Sequence, residues 1–400
     1  MKILITTDLY SVSTNGVVTL VNNLFDELRS KGHDVRVLTL SWDCSSFVQD
    51  KVYYIRAFSL DRIYPELRGS LAVFDRLSDE LIEWKPDVIH SQCEFFTFRF
   101  ARHISKRTDS PIVHTYHTLY ENYVGYIISN KLIGKNLVRM YSKQCLRHVS
   151  AVIAPSTITS TVLKGYGVEQ NISIIPPGIA LEQHQQRSTE EEIQELRYRY
   201  RIAENAFVML YLGRLGVEKN IDELMIAFSW FVDERPDTVL FIVGDGPARG
   251  GLEDWAEHLH INDNVVFAGA VPQHEVHRYY QIADVFVSAS TSETQGLVYV
   301  EAAANGLPLV CRKAPCLQGI IAEGENGFVF ETVKEFETAV LCFQNDRIFR
   351  NKASDCSRDI ARRFDKRHLA DAVERVYQSV TKTVRLYPED SFQRVQRYEH

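Results

Sequence analysis

The segment GRLGVEKN (residues 213–220) holds two cations, Arg214 and Lys219, between an apolar run, FVMLYL, and a stretch of helical spacing, ELMIAFSWF. A strand that exits into a helix leaves backbone N–H groups unspent at the helix start, where anions are already favoured. A guanidinium adds a two-pronged grip and an ammonium a point charge. Together they suit a diphosphate, and a departing nucleoside diphosphate needs that neutralisation. On this segment alone, two solvated surface charges fit as well.

The second candidate is SETQGLVYVEAAANGLP, where Glu293 and Glu301 flank Gly296. The order predicts a loop carrying Glu293 and a helix opening near Gly296 or Leu297. The N–H groups of Gly296, Leu297 and Val298 would seat an anion, and Glu301, about one turn in, would accept from ribose hydroxyls. Glu293 would accept from a sugar hydroxyl or steady positive charge developing on the sugar ring. Acids at a helix start are also common for dipole reasons alone. GDGP, with Gly244 at its head, follows another apolar run, and a structural turn explains it as well as a ligand loop does. In the first half, Gly16 after Asn15 would admit a phosphate or sugar close to the backbone. HTYHTLYENY gathers His114, Tyr116, His117, Tyr120, Glu121 and Tyr123, polar aromatics that suit a sugar. A histidine at a strand end is more often structural.

These segments need a scaffold. KILITTD, DVRVLTL, DVIHSQ, PIVHTYHT and SAVIAPS read as strands, with helical spacing in VVTLVNNLFDELRSKG and DRLSDELIEWKPD between them. Alternation of this kind predicts a parallel sheet covered on both faces. The rhythm breaks between residues 157 and 205, around Pro176-Pro177-Gly178 and a charged run. It restarts with FVMLYLGR, TVLFIVGDGP, VVFAGAV, DVFVSAS and LPLVC. Two doubly wound α/β domains follow, expected at 1–165 and 166–380. Ligands of such sheets sit beyond the carboxyl ends of the strands, where all the candidate residues fall. Facing each other across a cleft, two such domains would suit a two-substrate reaction.

Composition bounds the alternatives. The 400 residues are 45% hydrophobic and 24% charged, which excludes a disordered or fibrous chain. A net charge of −7 argues against a nucleic-acid partner. The charge is uneven, however: residues 101–150 hold eight Lys/Arg against Asp109 and Glu121. Seven scattered cysteines without zinc-type spacing fit free thiols in a reducing cytoplasm. The N-terminal apolar run is too short for a membrane span, so membrane contact is expected to be peripheral.

Taken together, GRLGVEKN, GDGP and the paired glutamates make the chain resemble family 4 of the retaining glycosyltransferases, with the GT-B fold. HTYHTLYENYVGYI and SETQGLVYVEAAANGLP are most similar to the bacterial diacylglycerol glucosyltransferases of that family. The resemblance implies that Arg214 and Lys219 hold the donor diphosphate, Glu301 the ribose, and Glu293 with the following amides the sugar and phosphate. It implies that His117 touches the transferred sugar and that Gly16 lines the phosphate side. Asn15 stands where the family has a further glycine. The resemblance also implies UDP-glucose as donor, diacylglycerol as acceptor and retention of anomeric configuration by front-side attack, the leaving phosphate taking the acceptor proton. No metal or other cofactor is expected, and there is no Asp-x-Asp. A final helix, expected at 381–400, crosses back to the first domain.

Lys131, Lys135, Arg139, Lys143 and Arg147 recur every four residues among Leu132, Ile133, Leu137, Val138, Met140 and Tyr141. On a helix each such step advances roughly 40° past a full turn, giving a spiralling basic stripe. It would suit the anionic inner face of the cell membrane, or it is a solvated face packed on its own domain. Three other functions share the same residues: a glycosyltransferase for a polysaccharide, inositol phosphate or soluble glycan; a nucleotide-sugar epimerase of GT-B fold; and a binding protein with a relict site.

Overall fold

The computed structural model describes residues 1–10, 16–60, 68–71, 74–118, 131–293 and 296–386, with the side chains of 131–133 and 383–386 outside that set. Two compact units emerge, Met1–Gly178 with Lys366–His400, and Ile179–Asp365.

The first unit holds strands β1 (Lys2–Thr6), β2 (Asp34–Leu40), β3 (Phe47–Gln49), β4 (Val52–Ile55), β5 (Phe58–Ser59), β6 (Arg68–Gly69), β7 (Val88–Ser91), β8 (Ile112–Thr115), β9 (Ala151–Ala154) and β10 (Asn171–Ile174). Eight form one sheet in the order β10-β9-β8-β7-β1-β2-β4-β3, parallel except for β3 against β4, while β5 and β6 pair separately. Strands buried on both faces carry continuous apolar runs, as in KILIT and AVIA, so this pattern marks the centre of the sheet. One face packs on the helices Gly16–Ser30 and Lys366–Leu386. The other packs on Arg76–Trp84, Phe96–Thr108 and the end of Lys131–Leu146.

The second unit holds β11 (Phe207–Leu212), β12 (Thr238–Val243), β13 (Val265–Gly269), β14 (Val285–Ser288), β15 (Leu309–Arg312) and β16 (Gly327–Phe330). They form a wholly parallel sheet in the order β13-β12-β11-β14-β15-β16. The helices Ile221–Glu234, Arg249–His258 and Val333–Asn345 cover one face. Val276–Gln281 and Leu297–Ala304 cover the other.

The unit boundaries differ from those expected. The first unit runs past residue 165 because β10 pairs in register with β9. The helix that returns to it opens at Lys366, fifteen residues before 381 (381 − 366), and residues 387–400 lie outside the described set. Leu369, Ala370, Val373, Val376, Tyr377 and Val380 form its apolar stripe, packed against Val21, Leu24 and Leu28. Tyr377 also hydrogen-bonds His90 Nδ1 at 2.7 Å, and Lys31 pairs with Asp371 and Glu374.

Where this helix begins, Gly178 lies so close that a Cβ on it would stand 2.8 Å from both Lys366 Cα and Leu369 Cβ. Gly178→Ala must push the returning helix outward, and overpacking of this kind costs about 1–3 kcal/mol. A lower urea midpoint than wild type is expected; an unchanged one would show that the contact gives way freely.

Candidate active site

In the second unit the chain runs from β11 through β12 to β13, then returns to β14 on the other side of β11. The carboxyl ends of β11 and β14 are therefore its topological switch point, where open α/β sheets bind ligands. Beyond β11 come Gly213 and Arg214, a 3-10 turn Val217–Lys219, and Asn220 in left-handed conformation opening the helix Ile221–Glu234. Beyond β14 come Ser290, Ser292 and Glu293, then the helix Leu297–Ala304, with Gly296 (φ 64°) as its N-cap.

The two exits meet. Lys219 Nζ lies 2.5 Å from Glu293 Oε1, and Ser292 Oγ donates to Glu218 O at 2.9 Å. Arg214 pairs with Glu218, four residues on, at 2.5 Å. Both expected diphosphate ligands thus sit together at the switch point, each holding a carboxylate. Glu218 was not foreseen, although its i+4 spacing from Arg214 was visible in the chain. An arriving diphosphate would exchange one anion for another, and such replacement avoids leaving a buried charge unpaired.

Gly244 has an explanation that needs no ligand. At φ 136° its missing Cβ would fall 1.9 Å from the carbonyl oxygen of Gly213. Leu215 N donates to Asp245 O and Ala248 N to Leu215 O, so GDGP braces the Arg214 turn backbone to backbone.

Helix Leu297–Ala304 begins where expected. Tyr299 and Val300 donate to Gly296 O, the first inward bonds of the helix; among the described residues the N–H groups of Gly296, Leu297 and Val298 make no backbone bond. Glu301 is buried in this helix and takes the Tyr280 hydroxyl at 3.0 Å on Oε2. Burial pushes its carboxyl up to about 7, with the tyrosine bond pulling the other way.

His117 and Gly16 belong to the first unit. Gly16 is the exposed first residue of its helix, and Asn15 lies outside the described residues. His117 lies past β8, buried, with Nε2 at 2.6 Å from Gln92 Oε1 beyond β7. Burial, helped by His114, holds its pKa down to about 3, so the imidazole is neutral at physiological pH. With Gln92 Oε1 accepting, Nε2 carries the hydrogen. His114 pairs with Glu94 at 3.0 Å, both buried, and Asp8 accepts from Thr97 N and Oγ1. Tyr120, Glu121 and Tyr123 lie outside the described residues.

On helix Lys131–Leu146, Lys135, Arg139 and Lys143 are exposed, as is Arg147 just beyond it, with Leu137, Met140 and Tyr141 exposed among them. Gly134, Ser142, Cys145 and Leu146 are its buried residues among those described. The side chain of Lys131 lies outside the described residues, and the Lys143 ammonium leans over Gly167. Among the described residues no helix is long and apolar enough to cross a membrane.

Residues 14–183 match Glycosyltransferase Family 4, and residues 192–359 match Glycosyl transferases group 1. The alpha-monoglucosyldiacylglycerol synthase of Streptococcus pneumoniae is 32% identical over 343 residues, 85% of this chain and 78% of that protein. The chain belongs to this glycosyltransferase family. The synthase of the same name from Acholeplasma laidlawii is 33% identical over 349 residues, 84% of this chain and 86% of its own. A crystal structure of HepE from Anabaena, in complex with UDP and glucose, superposes with a TM-score of 0.75 at 19% identity, covering 95% and 100% of the two chains. The fold is GT-B, with two Rossmann-like halves, and the chain is a glycosyltransferase enzyme of the hexosyltransferase class.

His117 and His184 fold with pKa values of about 3 and about 4, in both cases chiefly through burial. Each takes up a proton on unfolding below about 6.5. Their stabilising contribution is therefore complete above pH 6.5 and lost as pH falls toward 4. The urea midpoint of His184→Asn should differ less between pH 7 and pH 4.5 than that of wild type. Parallel profiles would contradict a neutral buried imidazole at this position.

Proposed function

We propose that this glycosyltransferase moves glucose from UDP-glucose to 1,2-diacylglycerol at an anionic membrane surface, with retention and without a metal ion. One observation carries the donor half: the switch point of the second sheet gathers Arg214, Lys219, Glu293 and the N–H groups from Gly296 to Val298. The sugar and the lipid acceptor are supported by the two synthases named above, similar to this chain over most of its length.

In this reading Arg214 and Lys219 exchange Glu218 and Glu293 for the donor's diphosphate. Glu293, released from Lys219, turns to the sugar, and Glu301 accepts from the ribose. The acceptor hydroxyl oxygen bonds to C1 on the face from which the phosphate leaves. The C1–O bond to the β-phosphate breaks, and the hydroxyl proton passes to a phosphate oxygen. Negative charge growing on the nucleotide is met by two cations and helix-start amides, the role a divalent ion fills elsewhere. His117, neutral, contributes hydrogen bonding to the sugar and no charge.

Arg214→Ala and Lys219→Ala should each lower kcat/KM for UDP-glucose by about 10²- to 10³-fold, as loss of a charge-stabilising group does. Turnover should survive a chelator. Glucosyl-diacylglycerol formed from labelled UDP-glucose and mixed lipid vesicles is the diagnostic product; transfer only to soluble glycans, or chelator-sensitive turnover, overturns the assignment.

The exposed stripe with Leu137, Met140 and Tyr141 supports peripheral attachment to the cytoplasmic face of the membrane. Each cation near an anionic surface is worth about 1 kcal/mol. Lys135→Glu with Arg139→Glu should thus weaken sedimentation with phosphatidylglycerol vesicles by at least about tenfold. Equal binding of variant and wild type would remove this helix from the membrane contact.

A further inference from the structure

Tyr280 lies in the helix Val276–Gln281, away from every loop at the switch point, and no local pattern marks it. Its ring is fully buried, packed near Phe286 at 6.2 Å and edge-on to His184 at 6.2 Å. A buried phenol must place its hydrogen on an acceptor. Two are in reach: Glu301 Oε2 at 3.0 Å and Val298 O at 3.4 Å. The carboxylate is nearer and charged, so it is the stronger acceptor.

Among the described residues, Tyr280 is the hydrogen-bond partner of the Glu301 carboxylate. We infer that Tyr280 is a positioning residue for nucleotide-sugar binding: its hydroxyl holds Glu301 by Oε2, in the ionised form, and leaves Oε1 for a ribose diol. The inference rests on the reading of Glu301 as the ribose acceptor.

Three observations support it. The ring cannot swing away, since Phe286, His184 and the surrounding core hold it. Glu301 sits one turn into its helix, so a carboxylate free to rotate would lose its aim at the diol. Burial alone favours the protonated acid, which can offer a diol only one full acceptor, and the phenol opposes that effect. When the acid is protonated, the same hydroxyl still has Val298 O to satisfy it, so both states are accommodated.

The titratable groups facing this pair are few. Tyr280 comes from its own helix, and His184, held at Nδ1 by Asn305, comes from the helix Leu181–His184. His277, on the helix of Tyr280, acts on His184. Burial lowers both histidines, leaving them neutral above pH 7. Of the groups facing this pair, Glu301 is therefore the one expected to lose its proton near pH 7.

The test follows kcat/KM for UDP-glucose against pH, since a nucleotide sugar has no phosphate ionisation near neutrality and kcat/KM reports groups of the free enzyme. Wild type should rise as pH passes about 7. In Tyr280→Phe the midpoint should move to higher pH, and KM should rise about tenfold with kcat nearly unchanged, the size expected for a hydrogen bond to a charged group. Fluorotyrosine at 280, a stronger donor of the same shape, should move the midpoint to lower pH, and it keeps the test decisive should the phenylalanine variant fail to fold. A midpoint that moves with neither change overturns the inference. Glu301→Gln separates it from the reading beneath it: loss of affinity and of the pH step in Glu301→Gln, with no effect at Tyr280, sinks only the positioning role. Unaltered nucleotide affinity in Glu301→Gln sinks the ribose assignment itself.

Discussion

The second unit depends on a contact between two backbones with no side chain between them. The carbonyl of Gly213 occupies the space a Cβ of Gly244 would fill. That approach joins the exits of β11 and β12, and the bonds from Leu215 and Ala248 complete the brace. Arg214 is carried on this turn, and Lys219 follows it into the helix. A cation on a loose loop would lose much of its electrostatic effect to reorganisation, whereas one on a braced turn is already in place. The glycine in GDGP therefore braces the turn of GRLGVEKN through backbone contact alone.

Charge at the switch point is organised in pairs. Lys219 with Glu293 and Arg214 with Glu218 match each cation with a carboxylate. Their exposure is what the proposed exchange for a diphosphate would require: Lys219 is 14% exposed and Arg214 39%, so neither pair is sealed away from solvent. A fully buried pair would resist displacement, and a fully solvated one would be screened.

The central strands were legible because parallel strands buried on both faces read as unbroken apolar runs. FVMLYL and TVLFIV are of this kind. β10, with the sequence NISI at the sheet edge, carries no such run, which is why the expected boundary fell short of it. The helix Glu190–Arg199 hid within a charged stretch; its capping box, Thr189 with Glu192, was the available sign. Arg214, Lys219, Glu293 and Glu301 could be proposed from the chain because they lie in two segments that each lead from a strand into a helix. Tyr280 and Gln92 could not, since each reaches its partner through tertiary packing. The start of the returning helix was missed for a similar reason: its apolar stripe is plain, but the surface it covers belongs to residues at the opposite end of the chain.

That returning helix has a consequence for biosynthesis. Lys366–Leu386 supplies Leu369, Val373 and Tyr377 to the core beneath β1, and Tyr377 closes on His90. A ribosome delivers the chain in order, and domains generally fold as they emerge. The middle unit, Ile179–Asp365, is continuous and has all its described strands before the helix Lys366–Leu386 is made. The earlier segment must wait, with part of one face of its sheet uncovered, until Lys366–Leu386 has been made, so the unit begun first is completed after the middle one.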